Sequence, residues 1–238
     1  MRQFNQGFVG EKPNTTLRYV GSDDESRYIH HLQIQPPDWY YRTTEITYKY
    51  NSLGHRCKNI EDIDLGNYIL FSGCSHVEGV GLELEKSFPY SVANELGMDY
   101  YNLGLGGSGI DVMTHNLIIW LNTVKKLPKA VVVLWTYEAR FATIQDDILT
   151  FHLPGNTDTK TGKFMSSSGK FMSLGNDINY FNSKKIFNSK IVNSCYSETT
   201  LIELESEDFV QYDKARDFMH RGIVSQQMLA EKILTKLK

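Results

Sequence analysis

Between NYILFSG (67–73) and KAVVVLWT (129–136), the sequence alternates between strand-like and helix-like segments. NYILFSG is a short apolar run that ends in glycine, and KAVVVLWT has the β-branched content of a buried parallel strand. Between them, LEKSFPYSVANELG (84–97) and IDVMTHNLIIWLNTVKKL (110–127) have helical patterns, and MDYYNLGLGG (98–107) resembles a strand that ends in glycines. This alternation of strands and helices predicts a parallel sheet with right-handed crossovers.

The chain before this stretch is polar and rich in aromatic side chains, without a clear helical period. EITYKYNSLG (45–54) alternates as a strand does, and its last four residues supply a turn. We therefore expect residues 1–66 to form an extended arm with one or two strands that packs on the core. Residues 67–238 are expected to form a single α/β domain.

After residue 136, the regular alternation of strand and helix patterns stops. Residues 150–195 are rich in small polar residues and contain a near-repeat, GKFMS at 162–166 and again at 169–173. Two copies are too few for a solenoid, so the repeat favours a hairpin or a mobile flap inserted in the domain. TTLIELES (199–206) is predicted to be a late strand, and a closing helix is expected from about 223 to 237.

Composition excludes several classes of function. The chain has 238 residues with a formal charge of -3, so it lacks the basic field that attracts nucleic acid or an anionic membrane. No apolar run approaches the roughly 20 residues of a membrane span, and the first residues do not resemble a secretory signal. A cytoplasmic location is therefore expected. The three cysteines indicate neither a disulfide framework nor a zinc site.

Three segments contain candidate functional residues, and the first is FSGCSHVEGVG (71–81). Ser75 follows the predicted strand end at Gly73 in a tight loop before a helix. A hydroxyl at such a place can stand at the carboxyl edge of a parallel sheet, where open α/β sheets bind ligands. Taken alone, a Gly-x-Ser after a strand is also common as a simple turn.

The second segment is NLGLGGSG (102–109), which contains a G-x-G-x-x-G pattern. A dinucleotide site would need an acidic residue about 20 positions further on, to hold the ribose. The corresponding sequence, VKKLPKAVVV (124–133), has no acidic residue. Two interpretations remain, namely a tight strand-to-helix turn or a glycine amide that points at an oxyanion.

The third segment is DKARDFMHRG (213–222), in which Asp217 precedes His220 by three residues. A carboxylate at this spacing can reach the imidazole Nδ1–H, and serine chemistry needs a base that is oriented by such a group. By itself, an Asp-x-x-His pair is common and more often belongs to a solvated surface turn.

In this order, the three segments resemble the blocks of the SGNH (GDSL-type) hydrolase superfamily. The corresponding residues are Gly73-Cys74-Ser75 with Gly79, Asn102 through Gly107, and Asp217 to His220. The superfamily's first block is Gly-Asp-Ser, so Cys74 replaces an Asp that is not the acid of the triad. The resemblance implies a three-layer α/β/α sandwich with a mostly parallel sheet of about five strands. It also implies a serine esterase without metal or organic cofactor, with Ser75 as nucleophile, His220 as base and Asp217 as the third member of a triad.

The substrate implied is a small carboxylic ester, for instance an O-acetyl group on a carbohydrate. The oxyanion would be held by the backbone amides of Ser75 and Gly107. His76 is a candidate wall of the substrate pocket. Arg140 is either a residue that holds an anionic substrate group or an ordinary surface arginine.

The sequence departs from the superfamily's pattern in its third block. The pattern has Gly-x-Asn-Asp after the third strand, and the Asn donates a hydrogen bond to the oxyanion. Here Tyr137 stands at the Asn position, and Tyr137 or Thr136 is the candidate replacement donor. Loss of one donor typically costs about 10²–10³ in rate. Two alternatives therefore stay open, a binding module that has lost activity and an acyltransferase that uses the same triad.

Overall fold

The computed structural model describes residues 3–136, 140–145, 148–152, 154–158, 163–166, 171–173, 185–186 and 188–238. Its strands are β1 (Gln3–Asn5), β2 (Phe8–Gly10), β3 (Thr16–Leu17), β4 (Tyr48–Lys49), β5 (Tyr68–Ser72), β6 (Asp99–Asn102), β7 (Ala130–Leu134), β8 (Phe141–Gln145), β9 (Ile148–His152), β10 (Pro154–Asp158), β11 (Lys163–Ser166), β12 (Phe171–Ser173) and β13 (Thr200–Leu204). Its helices are α1 (Glu25–Ile34), α2 (Ser75–Glu78), α3 (Phe88–Leu96), α4 (Ile110–Thr123) and α5 (Ile223–Leu237), and residues 188–195 are also helical. Short 3₁₀ turns occur at Tyr40–Arg42, Ile60–Asp62, Leu84–Lys86 and Ser206–Asp208.

The centre of the molecule is a parallel sheet in the order β13-β7-β5-β6. Each of its strands lies in a segment that the sequence pattern predicts, so the predicted α/β class and parallel sheet are confirmed. Within the described residues the sheet has four strands, where about five were expected. The sequence contains four segments with the pattern of core strands, and all four form.

Helices cover both faces of the sheet because successive strand residues point to opposite sides. On one face, Leu70 and Val131 pack against Leu117 and Trp120 of α4, and against Val192 of the helical residues 188–195. On the other face, apolar side chains of the sheet pack against α3 and α5; they include Ile69, Phe71 and Val132, which lie against Phe88, Val92, Leu229 and Ile233. The result is the expected three-layer α/β/α sandwich.

A glycine and a proline account for the ends of helices α3 and α4. Helix α3 ends at Gly97, whose positive φ of 62° is a conformation that glycine adopts without strain. Helix α4 ends at Thr123, four residues before the predicted end at Leu127. Pro128 follows Leu127, and the residue before a proline is disfavoured in helical conformation, so the last predicted turn does not form.

The N-terminal region contains more regular structure than expected. Helix α1 was not predicted, because none of its residues is buried and it has no apolar stripe. Its N-cap, Asp24, accepts a 2.9 Å hydrogen bond from the backbone N–H of Arg27, a local signal that the sequence does carry. Of the strand predicted within 45–54, only β4 forms, and the predicted turn is present at Gly54.

Aromatic and aliphatic side chains of this region are buried, among them Phe8, Tyr41, Ile46, Tyr48 and Tyr50. The division of the chain between residues 66 and 67 stays a prediction. The near-repeat pairs with itself, since β11 and β12 are antiparallel with Phe164 opposite Met172. The rest of the flap prediction falls largely on residues outside the described set. Across the described ranges, none of the helices has the length and apolar character that a membrane crossing needs.

Candidate active site

Ser75 stands at the carboxyl edge of the central sheet. Strand β5 ends at Ser72, and Ser75 is the first residue of the short helix α2. Between them, Gly73 allows a close turn, since a Cβ at this position would lie 2.2 Å from Val77 Cγ2. Ser75 is buried, with 8% of its surface exposed.

The structure brings together the three residues that the sequence predicts to act together. Ser75 Oγ lies 2.7 Å from Nε2 of His220. Nδ1 of His220 lies 2.6 Å from Oδ2 of Asp217. With Nδ1–H donating to the carboxylate, Nε2 is free to accept the proton of the serine hydroxyl. This is the arrangement in which an imidazole acts as general base toward a serine.

Asp217 is buried and held by four donors. Its Oδ1 accepts from the backbone N–H groups of Met219 at 3.1 Å and His220 at 3.0 Å. Its Oδ2 accepts from His220 Nδ1 and from Ser22 Oγ, each at 2.6 Å. Burial opposes the charged form, but the hydrogen bonds from His220 and Ser22 outweigh it and lower the pKa of Asp217 to about 2. Asp217 is therefore a carboxylate at neutral pH.

The turn between Asp217 and His220 depends on an unusual backbone conformation. Phe218 has a φ of 58°, in the left-handed region that a bulky residue rarely adopts. Such a conformation costs on the order of 1–3 kcal/mol, so surrounding contacts must hold it. The Phe218 ring stacks on His31 at 4.2 Å, and its backbone N–H donates to the Ala215 carbonyl at 3.0 Å.

The glycine loop after β6 is bonded to the strand end that precedes Ser75. The Gly73 carbonyl accepts from the Leu105 N–H at 3.2 Å and from Ser108 Oγ at 3.1 Å. Gly107 lies between these two contacts and has a φ of 74°, which favours glycine. Within the described residues, neither the Ser75 amide nor the Gly107 amide donates a hydrogen bond to the protein. The oxyanion role of these two amides stays a prediction.

Of the two candidates for a third oxyanion donor, the structure describes Thr136 but not Tyr137. Thr136 is buried, and its Oγ1 accepts a 2.9 Å hydrogen bond from Arg140 Nη1. Because the hydroxyl acts as an acceptor there, its own proton can point elsewhere. Tyr137 lies outside the described residues, so its role as a donor stays a prediction.

Two residues support this region through contacts that were not predicted, and the first is Asn102. Its Nδ2 donates to the Val77 carbonyl at 2.8 Å, and its Oδ1 accepts from the Gly104 N–H at 2.8 Å. Asn102 matched the family pattern in the sequence, but its structural role is to join the glycine loop to α2.

The second supporting residue is Glu78, which is buried in α2. Its Oε2 accepts from the Gly106 N–H at 2.6 Å, and its Oε1 accepts from the Tyr50 hydroxyl at 2.5 Å. It therefore fixes the backbone next to Gly107. An acidic residue within the otherwise apolar VEGVGL was the available signal.

His76 and Arg140 line one small cavity beside Ser75. His76 Nε2 accepts from Arg221 Nη1 at 3.0 Å, and its ring lies 4.9 Å from the His220 ring. Burial, followed by the positive charges of His220, Arg221 and Arg140, holds the pKa of His76 well below its usual range. His76 is therefore neutral and engaged with Arg221. Its geometry agrees with a place in the pocket wall.

The cavity has a volume of about 20 Å³. Its walls contain the residues on both sides of Ser75 together with the end of β7 and the segment before α5: Cys74, His76, Leu134, Trp135, Thr136, Arg140, Ser206, Phe209 and Arg221. A cavity needs roughly 10–15 Å³ to hold one water molecule, so this space suits one very small group. Among the described residues, no set of His, Cys, Asp and Glu side chains is grouped as metal ligands are.

Comparison with known proteins gives matches at the level of structure only. The sequence matches no protein-family profile and no curated protein. A carbohydrate esterase family 2 enzyme with a carbohydrate binding domain from Corynascus thermopiles (Myceliophthora fergusii) has a similar structure, with 15% identity and a TM-score of 0.38. The similarity covers 72% of this chain and 54% of that one, so the present chain spans about half of its length.

For two further similar structures, the alignment with the present chain covers almost their whole length. One is a lipolytic protein of the G-D-S-L family from Veillonella parvula, with 12% identity, a TM-score of 0.38 and coverage of 71% of this chain and 96% of that one. The other is TesA, with 18% identity, a TM-score of 0.41 and coverage of 72% and 98%. The first of these two is of the type that the three sequence blocks resemble.

Proposed function

We propose that this protein is a serine hydrolase that cleaves short-chain carboxylic esters. The observation that carries the proposal is the continuous line of hydrogen bonds from Ser75 Oγ through His220 to Asp217, at 2.7 and 2.6 Å. This line begins at a serine at the edge of the sheet and ends at a buried, ionised carboxylate. A module that only binds its ligand has no need of such an arrangement, so the geometry favours catalysis over binding alone.

The reaction follows from the order of these groups. Ser75 Oγ attacks the acyl carbon while its proton passes to His220 Nε2, and the carbonyl oxygen becomes an oxyanion. The alcohol then leaves with the proton from Nε2, and an acyl-serine remains. Water attacks the acyl carbon and gives a proton to Nε2. As the bond between the acyl carbon and Ser75 Oγ breaks, Nε2 returns that proton to Oγ, and the acid and the free serine are released. Asp217 keeps Nδ1 protonated throughout and stabilises the imidazolium.

The oxyanion is held by the amides of Ser75 and Gly107 in this proposal. The contacts of Gly73, Asn102 and Glu78 fix the backbone on both sides of that pair, so the amides need no rearrangement during the reaction. The Thr136 hydroxyl is the third donor that the described residues offer.

The cavity beside Ser75 supports a small acyl group. A volume of about 20 Å³ accepts the methyl of an acetyl group, whereas a longer chain would have to displace a wall residue such as Phe209. Acetyl esters are therefore the proposed substrates. An O-acetyl group on a carbohydrate is the form that the sequence resemblance implies.

The test is turnover of nitrophenyl esters of increasing acyl length. Acetate should be cleaved with the highest kcat/KM, and butyrate and octanoate with successively lower values. Ser75→Ala should remove the activity, while Ser91→Ala, a serine on α3 whose hydroxyl only bonds the Ser87 carbonyl, should retain it. Turnover that survives in Ser75→Ala contradicts the nucleophile, and a preference for octanoate contradicts the acyl assignment.

A further inference from the structure

A serine of the N-terminal region reaches the carboxylate of the triad. Ser22 Oγ donates to Asp217 Oδ2 at 2.6 Å and lies 3.4 Å from His220 Nδ1. Oδ2 is the same oxygen that accepts from His220. We propose that Ser22 is a positioning residue of this site and the fourth member of its hydrogen-bonded line, an assignment that rests on the proposed function.

The segment that carries Ser22 is fastened next to the triad. Asp23 and Arg216, the neighbours of Ser22 and Asp217, form a buried ion pair in which Arg216 donates to Asp23 Oδ1 at 2.9 Å and to Oδ2 at 2.6 Å. The two-pronged geometry fixes orientation as well as distance. Arg216 Nη2 also donates to the Arg18 carbonyl at 2.9 Å. These contacts set Ser22 and Asp217 side by side.

The local backbone around Ser22 is closed as well. Val20 and Asp23 exchange two backbone hydrogen bonds of 3.0 Å, and Gly21 between them has a φ of 57°. The Tyr48 hydroxyl donates a further, very short hydrogen bond to Asp23. Ser22 thus projects from a tight turn whose two ends are bonded to each other, and its hydroxyl has little freedom to leave Asp217.

The position of Ser22 gives it a defined electrostatic effect. Its hydroxyl draws part of the negative charge of Oδ2 away from His220, and it adds a fourth hydrogen bond to the three that hold the Asp217 carboxylate. When the hydroxyl is removed, Oδ2 faces His220 alone, so the charged imidazolium is favoured. The ring should then hold its proton to higher pH, and the carboxylate should keep three of its four hydrogen bonds.

The test compares Ser22→Ala with the unchanged protein by two readouts. The pH dependence of kcat/KM should show its acid limb at higher pH in Ser22→Ala, with a value on the plateau about 10-fold lower, as expected for one charge-assisted hydrogen bond. In ¹⁵N-histidine NMR spectra, the His220 ring, assigned by the signal missing from His220→Gln, should titrate at higher pH in Ser22→Ala. The NMR readout needs no substrate, so it stands even if the protein cleaves no ester.

Two control variants separate positioning from general loss of a contact. Ser26→Ala removes an equivalent serine-to-aspartate bond, Ser26 Oγ to Asp24 Oδ1 at 2.6 Å, on the exposed side of the same segment, and both readouts should stay unchanged. Ser22→Thr keeps a hydroxyl and should restore the acid limb. The proposal is overturned if both titrations of Ser22→Ala coincide with those of the unchanged protein. It is also overturned if activity falls only in proportion to lost folded protein, without a shift in either titration.

Discussion

Replacing Asp217 by Asn tests the triad through the hydrogen bonds that surround the carboxylate. All four donors point at it: His220 Nδ1 and Ser22 Oγ at Oδ2, and the backbone N–H groups of Met219 and His220 at Oδ1. Asparagine has one acceptor oxygen and one donor NH₂ group. One pair of donors must therefore face a donor, whichever way the amide is turned.

Each orientation of the amide has its own cost. If the NH₂ group takes the place of Oδ2, His220 must become an acceptor at Nδ1, and its Nε2–H then points at Ser75 and cannot take the serine proton. If the NH₂ group takes the place of Oδ1, it opposes two backbone N–H groups of the turn, which leaves buried donors without acceptors at about 1–3 kcal/mol each. The first orientation is the less costly and the more damaging to catalysis.

The expected result for Asp217→Asn is a fall in kcat of about 10⁴-fold at neutral pH, the magnitude associated with the wrong imidazole tautomer in a serine triad. Little change in KM should accompany it, because Asp217 does not touch the substrate. The assay is steady-state hydrolysis of nitrophenyl acetate, with circular dichroism to show that the variant is folded. A fall of less than about 10-fold in folded protein would refute the role of Asp217 as the group that orients His220.

The remaining predictions concern stability and the third oxyanion donor. Because the pKa of Asp217 is about 2 in the folded protein and 3.8 for an unperturbed aspartate, its contribution of about 2–3 kcal/mol is fully present above about pH 4 and is lost as the pH falls through 2. Urea unfolding from about pH 5 to pH 2 should show that loss, and it should be absent in Asp217→Asn. Asp23→Asn leaves Arg216 buried without its charged partner and should lower the free energy of unfolding by about 3–5 kcal/mol; a change below about 1 kcal/mol would contradict the buried pair. Thr136→Val and Tyr137→Phe each remove a hydroxyl and keep the shape, and the true third donor is the one whose loss lowers kcat by about 10²-fold with little change in KM. If neither variant changes kcat, two backbone amides hold the oxyanion alone.

Most of the sheet could be predicted from the sequence because each of its strands has a recognisable local pattern of apolar residues. Residues 67–73, 98–107, 129–136 and 199–206 each carry a strand pattern in their own composition, and each contains one strand of the central sheet. Helix α1 was not predicted, because it lacks such a local pattern. It buries no residue, so it leaves no periodic apolar signal, and only its N-cap aspartate marks it.

The residues of the candidate site also differ in whether the nearby sequence indicates their role. Ser75, Asp217 and His220 stand in short segments whose order along the chain resembles a known pattern, so the sequence alone could propose them as candidates. Ser22 could not be selected, because its bond to Asp217 joins residues 195 positions apart and nothing near Ser22 in the sequence points to a catalytic role. Glu78 is an intermediate case. An acidic residue in an apolar segment is a visible signal in the sequence, but its hydrogen-bond partners, Gly106 and Tyr50, could not be predicted.

The central claim is that Ser75 is a nucleophile activated by His220. The direct measurement is reaction of the intact protein with a small fluorophosphonate, followed by trypsin digestion and tandem mass spectrometry. Ser75 lies in the tryptic peptide 59–86, whose other serine is the fully buried Ser72, so fragment ions can assign the adduct. One adduct is expected, on Ser75, and it should be lost in Ser75→Ala and form much more slowly in His220→Gln. An unlabelled Ser75 in folded protein, or labelling that proceeds at the same rate without His220, would contradict it.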